Sequence, residues 1–309
     1  MNKDFIAVTV GLTLLTGWTG LLRAEAINVP NGSFESPATN LFVSLNIDSW
    51  QKGAKPDWYV EDGKFFLWSQ LTGEFKNPAP GSVDRLDNCD GNLAIWLWAI
   101  PEVALFQDYD STDWRPRPPT HAFDARFEID KSYALTVGVN GGGGGMSNGT
   151  TLQISLYYRD RSSNMVTVAA TSITNNLENF PNHTHLTDYD VRVPTVRAGD
   201  AWAGQHIGIL LLSTVDTNLQ GGYWDLDNVR LTQAGEPVLR DFIRTNGQFQ
   251  FTLQSEPGLK FEILASADPA LRLADWTSLG TVTNETGLVP FIDTTANSSR
   301  RFYRARQLP

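Results

Sequence analysis

Two aspartates, Asp225 and Asp227, sit in the run Trp224-Asp225-Leu226-Asp227-Asn228-Val229-Arg230-Leu231. An acid set among apolar neighbours can do two things that a water-facing acid cannot. It can keep its proton to higher pH and deliver it, or it can join other oxygens in holding a cation. A polar contact to a sugar hydroxyl needs the same side chain, and a solvated strand aspartate needs nothing at all. Alternation gives the run strand character, yet Leu226 and Val229 have opposite parity, so a regular pleat cannot turn both to one core. A bulge at Asp227-Asn228 resolves the conflict and re-aims side chains, as bulges near ligand sites do. If Trp224 and Leu226 point inward, Tyr223 and Asp225 point outward together.

A buried carboxylate needs a partner, and the distant candidate is Glu35 in Asn31-Gly32-Ser33-Phe34-Glu35. Calcium prefers about six to eight oxygen ligands, and a bulge frees main-chain carbonyls that a ladder would consume. The expectation is a structural Ca2+ held by Glu35 and Asp227; the plainer reading is an N-terminal turn and a solvated aspartate. A second pair of residues stands in Leu93-Ala94-Ile95-Trp96-Leu97-Trp98. If Leu93, Ile95 and Leu97 are core, Trp96 and Trp98 share the opposite face, where paired aromatics stack sugar rings or other flat ligands unless loops or the second domain cover them. The ligand-binding expectation is therefore Trp96, Trp98, Tyr223 and Asp225.

Other motifs carry less. His121, His183, His185 and His206 are scattered, and His183 with His185 lacks a third ligand at fixed spacing, which favours a polar loop over a metal site. The five glycines at 141–145 are followed by no Lys-Ser/Thr pair and read as a mobile hairpin connection. Prolines in Asp113-Trp114-Arg115-Pro116-Arg117-Pro118-Pro119 force an extended path, either a site rim or a connector. No Gly-x-Ser-x-Gly or His-Glu-x-x-His motif occurs, and an acidic chain offers too many carboxylate pairs to nominate a glycosidase couple.

These residues must be positioned by strands. Leu93 to Trp98, Ser132 to Val139, Leu152 to Tyr158 and Ile207 to Leu212 are short apolar or alternating runs, separated by Gly, Asn, Asp and Pro, with no amphipathic helix between them. The pattern is that of an all-β, antiparallel β-sandwich whose first strand follows Glu35 and whose last contains Asp227. A boundary falls at Gln233-Ala234-Gly235-Glu236-Pro237. Beyond it, alternation in Gln248 to Leu253, Lys260 to Leu264 and Arg301 to Ala305 predicts a second, smaller β-sandwich over 234–309.

Residues 1–26 read as a secretory signal peptide, with Lys3, an apolar run and an Ala24-Glu25-Ala26 cleavage pattern; a membrane anchor is the rival reading, but Gly and Thr in the run and the small residues after it favour cleavage, so the chain is expected to be exported, secreted or at a bacterial cell surface. No later segment has transmembrane length. The formal charge of -10 argues against nucleic acid as a partner and is compatible with calcium and neutral ligands. A single cysteine, Cys89, rules out an intramolecular disulfide and a Cys-based zinc site.

The order of Asn31-Gly32-Ser33-Phe34-Glu35, the Gly91 to Trp98 strand leading to Phe106-Gln107, the Tyr133 to Val139 strand, Gly204-Gln205-His206-Ile207-Gly208-Ile209 and Asp225 to Leu231 resembles the calcium-binding jelly-roll family that includes carbohydrate-binding modules of families 4, 9 and 22. The resemblance spans residues 27–233 and implies a jelly roll with a structural calcium at Glu35 and Asp227. The same framework is similar to the Stig cyclases, calcium-dependent enzymes that close hapalindole-type alkaloids; that likeness is one of framework and does not by itself carry activity, and on it Asp225, an acid beside aromatics, would be the proton donor. Gly258-Leu259-Lys260-Phe261-Glu262-Ile263, Asp275-Trp276-Thr277-Ser278-Leu279 and Arg301-Phe302-Tyr303-Arg304-Ala305 resemble the β-sandwich modules that end many exported verrucomicrobial and planctomycete proteins. Three functions follow in order. The first is an exported, non-catalytic protein binding a polysaccharide or glycan. The second is a cyclase or isomerase of small terpenoid or indole-like substrates with Asp225 as acid, and the third a structural cell-surface protein. An open groove beside Trp96 and Trp98 favours glycans, a closed apolar pocket containing Asp225 favours the enzyme, and a face buried by 233–309 favours the structural role.

Overall fold

The computed structural model describes residues 25–39, 41–63, 66–112, 117–245, 248–296 and 300–308. Residues 1–24 of the expected leader and 113–116 of the proline-rich loop lie outside the described residues. The first strands are β1 (Glu25–Ile27), β2 (Val43–Ser44), β3 (Gln51–Lys52), β4 (Thr72–Lys76), β5 (Leu93–Trp98) and β6 (Ala104–Gln107). They are followed by β7 (Lys131–Gly143), β8 (Thr151–Arg159), β9 (Met165–Thr174), β10 (Thr187–Val193), β11 (Gly208–Ser213) and β12 (Tyr223–Gly235). The last six are β13 (Val238–Thr245), β14 (Gln248–Gln254), β15 (Leu259–Ser266), β16 (Thr277–Asn284), β17 (Leu288–Asp293) and β18 (Phe302–Gln307).

The chain is an all-β, antiparallel sandwich protein. One 7-stranded sheet runs β10-β7-β12-β5-β4-β2, with β1 also on β12; a 5-stranded sheet runs β3-β6-β11-β8-β9. Between them lies a core of alternate residues: Ile95 and Leu97 from β5, Leu135, Val137 and Val139 from β7, Leu152, Ile154 and Leu156 from β8, and Ile209 and Leu211 from β11. Two 3-stranded sheets, β13-β14-β17 and β16-β15-β18, form the second unit around Phe251, Leu253, Phe261 and Ile263. The two cores share no residue.

The break in β12 is where parity requires it. Asp227 pairs with Gly138 and Arg230 with Thr136, so three steps on β12 oppose two on β7. Asn228 takes up the extra residue at φ 57°, in the left-handed region where asparagine is tolerated best after glycine. Leu226 at 0 % and Val229 at 4 % exposure therefore both reach the core, as do Trp224 and Leu231. Deleting Asn228 would turn Val229 and Leu231 outward, each forfeiting about 1.5–3 kcal/mol of burial.

The N-terminal motif presses directly on this bulge. Val229 N–H donates to the Gly32 carbonyl at 2.9 Å, and the strand backbone comes so close that a Cβ on Gly32 would lie 2.5 Å from the Val229 oxygen. The beginning and end of the large unit thus meet, but by a different route from the expected one. The first strand precedes Glu35: β1 pairs with β12 from Glu25↔Gln233 to Ile27↔Leu231. The expected cleavage point after Ala26 consequently falls inside a paired strand. Among the described residues no helix is long and apolar enough to cross a membrane.

Candidate active site

On the outer face of the larger sheet, β5, β12 and the end of β7 floor a cavity of about 760 Å³. Because Ile95, Leu97, Trp224 and Leu226 turn inward, Trp96, Trp98, Tyr223 and Asp225 turn outward and line it together. The four expected ligand residues are therefore in one place. Register explains the grouping, since β5 and β12 pair Tyr223 with Trp98 and Asp225 with Trp96. The remaining walls come from β2 and β4 through Ser44 and Phe75, from the 3-10 turn that ends at Gln70, and from loops through Phe42, Phe66, Val83 and His183. Among the described residues, no lining residue comes from the second unit.

The aromatic lining is linked ring to ring. Trp98 contacts Phe66 at 5.1 Å and Tyr223 at 6.0 Å between centroids. Trp96 is pinned, its indole N–H donating to the Gln70 carbonyl at 3.1 Å, and its ring lies over Gly73, where any Cβ would collide with it. Phe42, at 65 % exposure, and Val83, at 84 %, mark the mouth.

Asp225 sits at the floor, partly open to the cavity. Its described side-chain contact is a long one, the Asn140 amide at 3.5 Å. Burial pushes its carboxyl up to about 7, with the Asn140 contact working the other way. Near neutrality it exists substantially as the acid. Tyr223 is raised too, by burial and then by the charges of Asp225 and Asp84, so its hydroxyl keeps its proton. Asn140, buried at 2 % exposure, also donates to the His183 carbonyl at 2.7 Å, and among the described residues its own Oδ1 has no partner.

The glycine run is not the mobile connector that its composition suggests. Residues 141–143 belong to β7, and rings rest on them: a Cβ at Gly142 would collide with the His183 imidazole, and one at Gly143 would reach the Tyr223 ring at 2.5 Å. Gly142, at φ 87°, also absorbs the extra residue that β7 carries opposite Trp224. A glycine series inside a strand leaves room for such close approach. His183 and His185 do not converge on a metal. His185 Nδ1 lies 2.7 Å from Asp87, whereas His183 turns to Gly141 and the cavity.

Glu35 and Asp227 grip one turn from two sides. Glu35 Oε1 accepts from the N–H groups of Asn92 at 2.7 Å and Leu93 at 2.6 Å. Asp227, at 0 % exposure, accepts at Oδ2 from Asp90 N–H at 2.7 Å and the Cys89 thiol at 3.0 Å, while among the described residues its Oδ1 has no hydrogen-bond partner within bonding geometry. Burial raises the Asp227 carboxyl to about 7, against the pull of those donors. Glu74 is also fully buried and unpartnered; burial, then the charges of Asp48 and Glu35, push it up to about 9. An orphaned carboxylate oxygen among hard donors fits a cation of the calcium type. Among the described residues no group of three or more His, Cys, Asp or Glu side chains is placed to hold a metal, so such an ion would draw most of its oxygens from main-chain carbonyls and water.

The HpiC1-like family, described as HpiC1 cyclase, matches residues 25–232. The chain belongs to this family. The match spans both ends of the large sandwich and every residue that lines the cavity. Among solved structures, a cyclase from Fischerella sp. TAU shares the fold of this HpiC1-like chain, with a TM-score of 0.50 and 21% identity over 70% of this chain and 100% of that one. The Stig cyclase Fisc from Fischerella sp. TAU, in complex with (3Z)-3-(1-methyl-2-pyrrolidinylidene)-3H-indole, has a TM-score of 0.47 and 21% identity over 69% of this chain and 99% of that one. A cyclase from Fischerella sp. TAU in complex with 4-(1H-indol-3-yl)butan-2-one has a TM-score of 0.48 and 20% identity over 70% of this chain and 100% of that one. No protein of curated function matches the chain. Of the two resemblances carried by residues 27–233, the family assignment falls on the cyclases and favours the second functional reading over the non-catalytic glycan binder.

Proposed function

We propose that the chain is an acid-initiated cyclase or isomerase of small terpenoid or indole-like substrates. The observation that carries this is Asp225, a carboxyl raised to about 7 at the floor of an aromatic cavity, in an HpiC1-like chain. A protonated carboxyl delivers its proton to a substrate double bond, the resulting cation is attacked by a neighbouring double bond or ring, and a second proton leaves. One proton enters and one departs, so the product is an isomer of the substrate. Trp96, Trp98, Phe66 and Tyr223 present π-faces that favour a developing cation. Asn140 acts as a positioning residue, holding the space beside Asp225 and tying it to the His183 backbone.

Calcium belongs to the proposal as a structural ion, with Glu35 and Asp227 as its side-chain ligands. It would supply the charge that the buried Asp227 Oδ1 lacks and hold the Cys89–Leu93 turn at the edge of β5. Chelation should lower the melting temperature of the large sandwich, and an unchanged melt with no metal found by elemental analysis removes the ion from the account. Export through residues 1–26 is likewise proposed, and sequencing the N-terminus of protein recovered from the medium or periplasm tests it.

The functional test incubates the full chain with a geranylated indole and follows isomer formation by chromatography. Conversion to a cyclised isomer of unchanged mass, lost in Asp225→Asn, is the expected result. Absence of conversion together with specific binding on a glycan array would return the site to the carbohydrate reading.

A further inference from the structure

His183 takes no part in the proton delivery above, yet it stands on the cavity wall. Its Nδ1 lies 3.0 Å from the Gly141 carbonyl oxygen. A carbonyl only accepts, so Nδ1 carries the hydrogen, and in the neutral ring Nε2 is left as an acceptor. Among the described residues Nε2 has no hydrogen-bond partner. The ring is fixed from two directions, because the same residue's carbonyl receives the Asn140 amide at 2.7 Å and its face rests against Gly142. Tyr223 rests against the next glycine, Gly143. The two rings therefore lie over adjacent glycines of β7.

Other acceptors line the cavity but are placed differently: Asn140 Oδ1 is buried, and the Asp84 carboxylate stands at the exposed mouth beside Val83. The Gln70 side-chain oxygen accepts from Leu67 N–H at 2.8 Å, and the Thr184 hydroxyl donates to Asn182 at 2.8 Å. A ligand with a ring N–H meets at His183 an acceptor that lies on the cavity wall and is held in place.

We propose that His183 Nε2 accepts a hydrogen bond from an N–H on the aromatic end of the ligand, making His183 a specificity-determining residue for N–H heteroaromatics over their N-alkylated counterparts. This rests on the aromatic-substrate reading of the site and names which aromatics it takes. A flat ring lying in the cavity beside His183 and Tyr223 would meet the tyrosine ring and direct its N–H to the imidazole.

The test is isothermal titration calorimetry of the full chain with 3-butylindole and 1-methyl-3-butylindole, using the native protein, His183→Phe and His183→Gln. The native chain should bind the N–H probe about five- to tenfold more tightly, the increment of one neutral hydrogen bond. His183→Phe, which keeps a ring and removes the acceptor, should lose the discrimination. His183→Gln, whose amide oxygen can stand in for Nε2, should restore it. Equal affinities in the native chain, or discrimination that survives His183→Phe, overturns the assignment of His183 and leaves the Asp225 reading standing. Binding of neither probe overturns the aromatic substrate of that reading and this inference with it.

Discussion

Asp225 and Asp293 are aspartates set beside clustered aromatic rings, one in each unit of the chain, and their surroundings drive them in opposite directions. Asp225 has a 3.5 Å contact to an amide and rises to about 7. Asp293 is buried at 2 % exposure, which by itself would push it up as well. It is surrounded by donors: Thr295 through N–H and hydroxyl at 2.8 Å each, the Tyr303 hydroxyl at 2.9 Å and Arg301 Nε at 3.1 Å. Together they outweigh burial and hold its carboxyl below the ordinary value. The rings differ in the same sense. Tyr303 stacks on Phe249 at 4.9 Å and an interplanar angle of 6°, whereas Trp98 and Tyr223 leave faces on a cavity. Burial beside aromatics makes an acid reactive only where its donors are withheld.

The largest expected contrast is in substitution. Asp225→Asn should lower turnover about 100- to 10,000-fold, the range for loss of a general acid. Its melting temperature at pH 8 should not fall, because a carboxylate that ionises unfavourably has been removed. Asp293→Ala should leave turnover unchanged and destabilise the second unit by about 3 kcal/mol, the low end for breaking a buried ion pair. Differential scanning calorimetry with a turnover assay separates the two, and a stability loss in Asp225→Asn with unaltered turnover would dissolve the distinction.

The two units should also respond to pH with opposite sign. Asp225 and Asp227 are raised from 3.8 to about 7, so their contribution is complete below the unfolded value and is lost as pH climbs through 7. Asp293 is lowered, so its contribution is present above the unfolded value and is lost as pH falls through the folded one. In chelator, the large sandwich should melt several degrees higher at pH 5 than at pH 8, and Asp225→Asn should shrink that difference. Added calcium should remove the share due to Asp227. The same melt at both pH values would contradict the buried-acid description of β12.

A smaller effect is expected at the rings. Trp98→Ala should weaken binding of an indole probe about tenfold, through lost aromatic contact, without moving the melt of the second unit. Fluorescence titration measures the first and calorimetry the second. Undiminished binding would move the ligand away from the Trp98–Tyr223 contact.

Much of this arrangement was legible in the residues. The opposite parity of Leu226 and Val229 demanded the bulge at Asn228, and the same parity put Tyr223 and Asp225 outward with Trp96 and Trp98. What converts an aromatic face into a cavity was not legible. Phe42, Phe66, Val83 and His183 stand on loops without periodicity, and only the long-range pairing of β2, β4 and β10 brings those loops over the sheet. Paired tryptophans without that cover read as a platform for sugars, which is why the glycan reading came first. The glycines at 141–143 misled for the reverse reason, because a residue without a side chain gives no hint of whose ring will rest on it.

The central claim is that Asp225 keeps its proton near neutrality while facing the cavity. The direct measurement is a 13C NMR titration of the aspartate side-chain carboxyl carbons in the full chain, assigned by comparison with Asp225→Asn. A resonance that titrates near pH 7 and vanishes in that variant is the predicted result; an Asp225 signal that has completed its titration below pH 5 would contradict it.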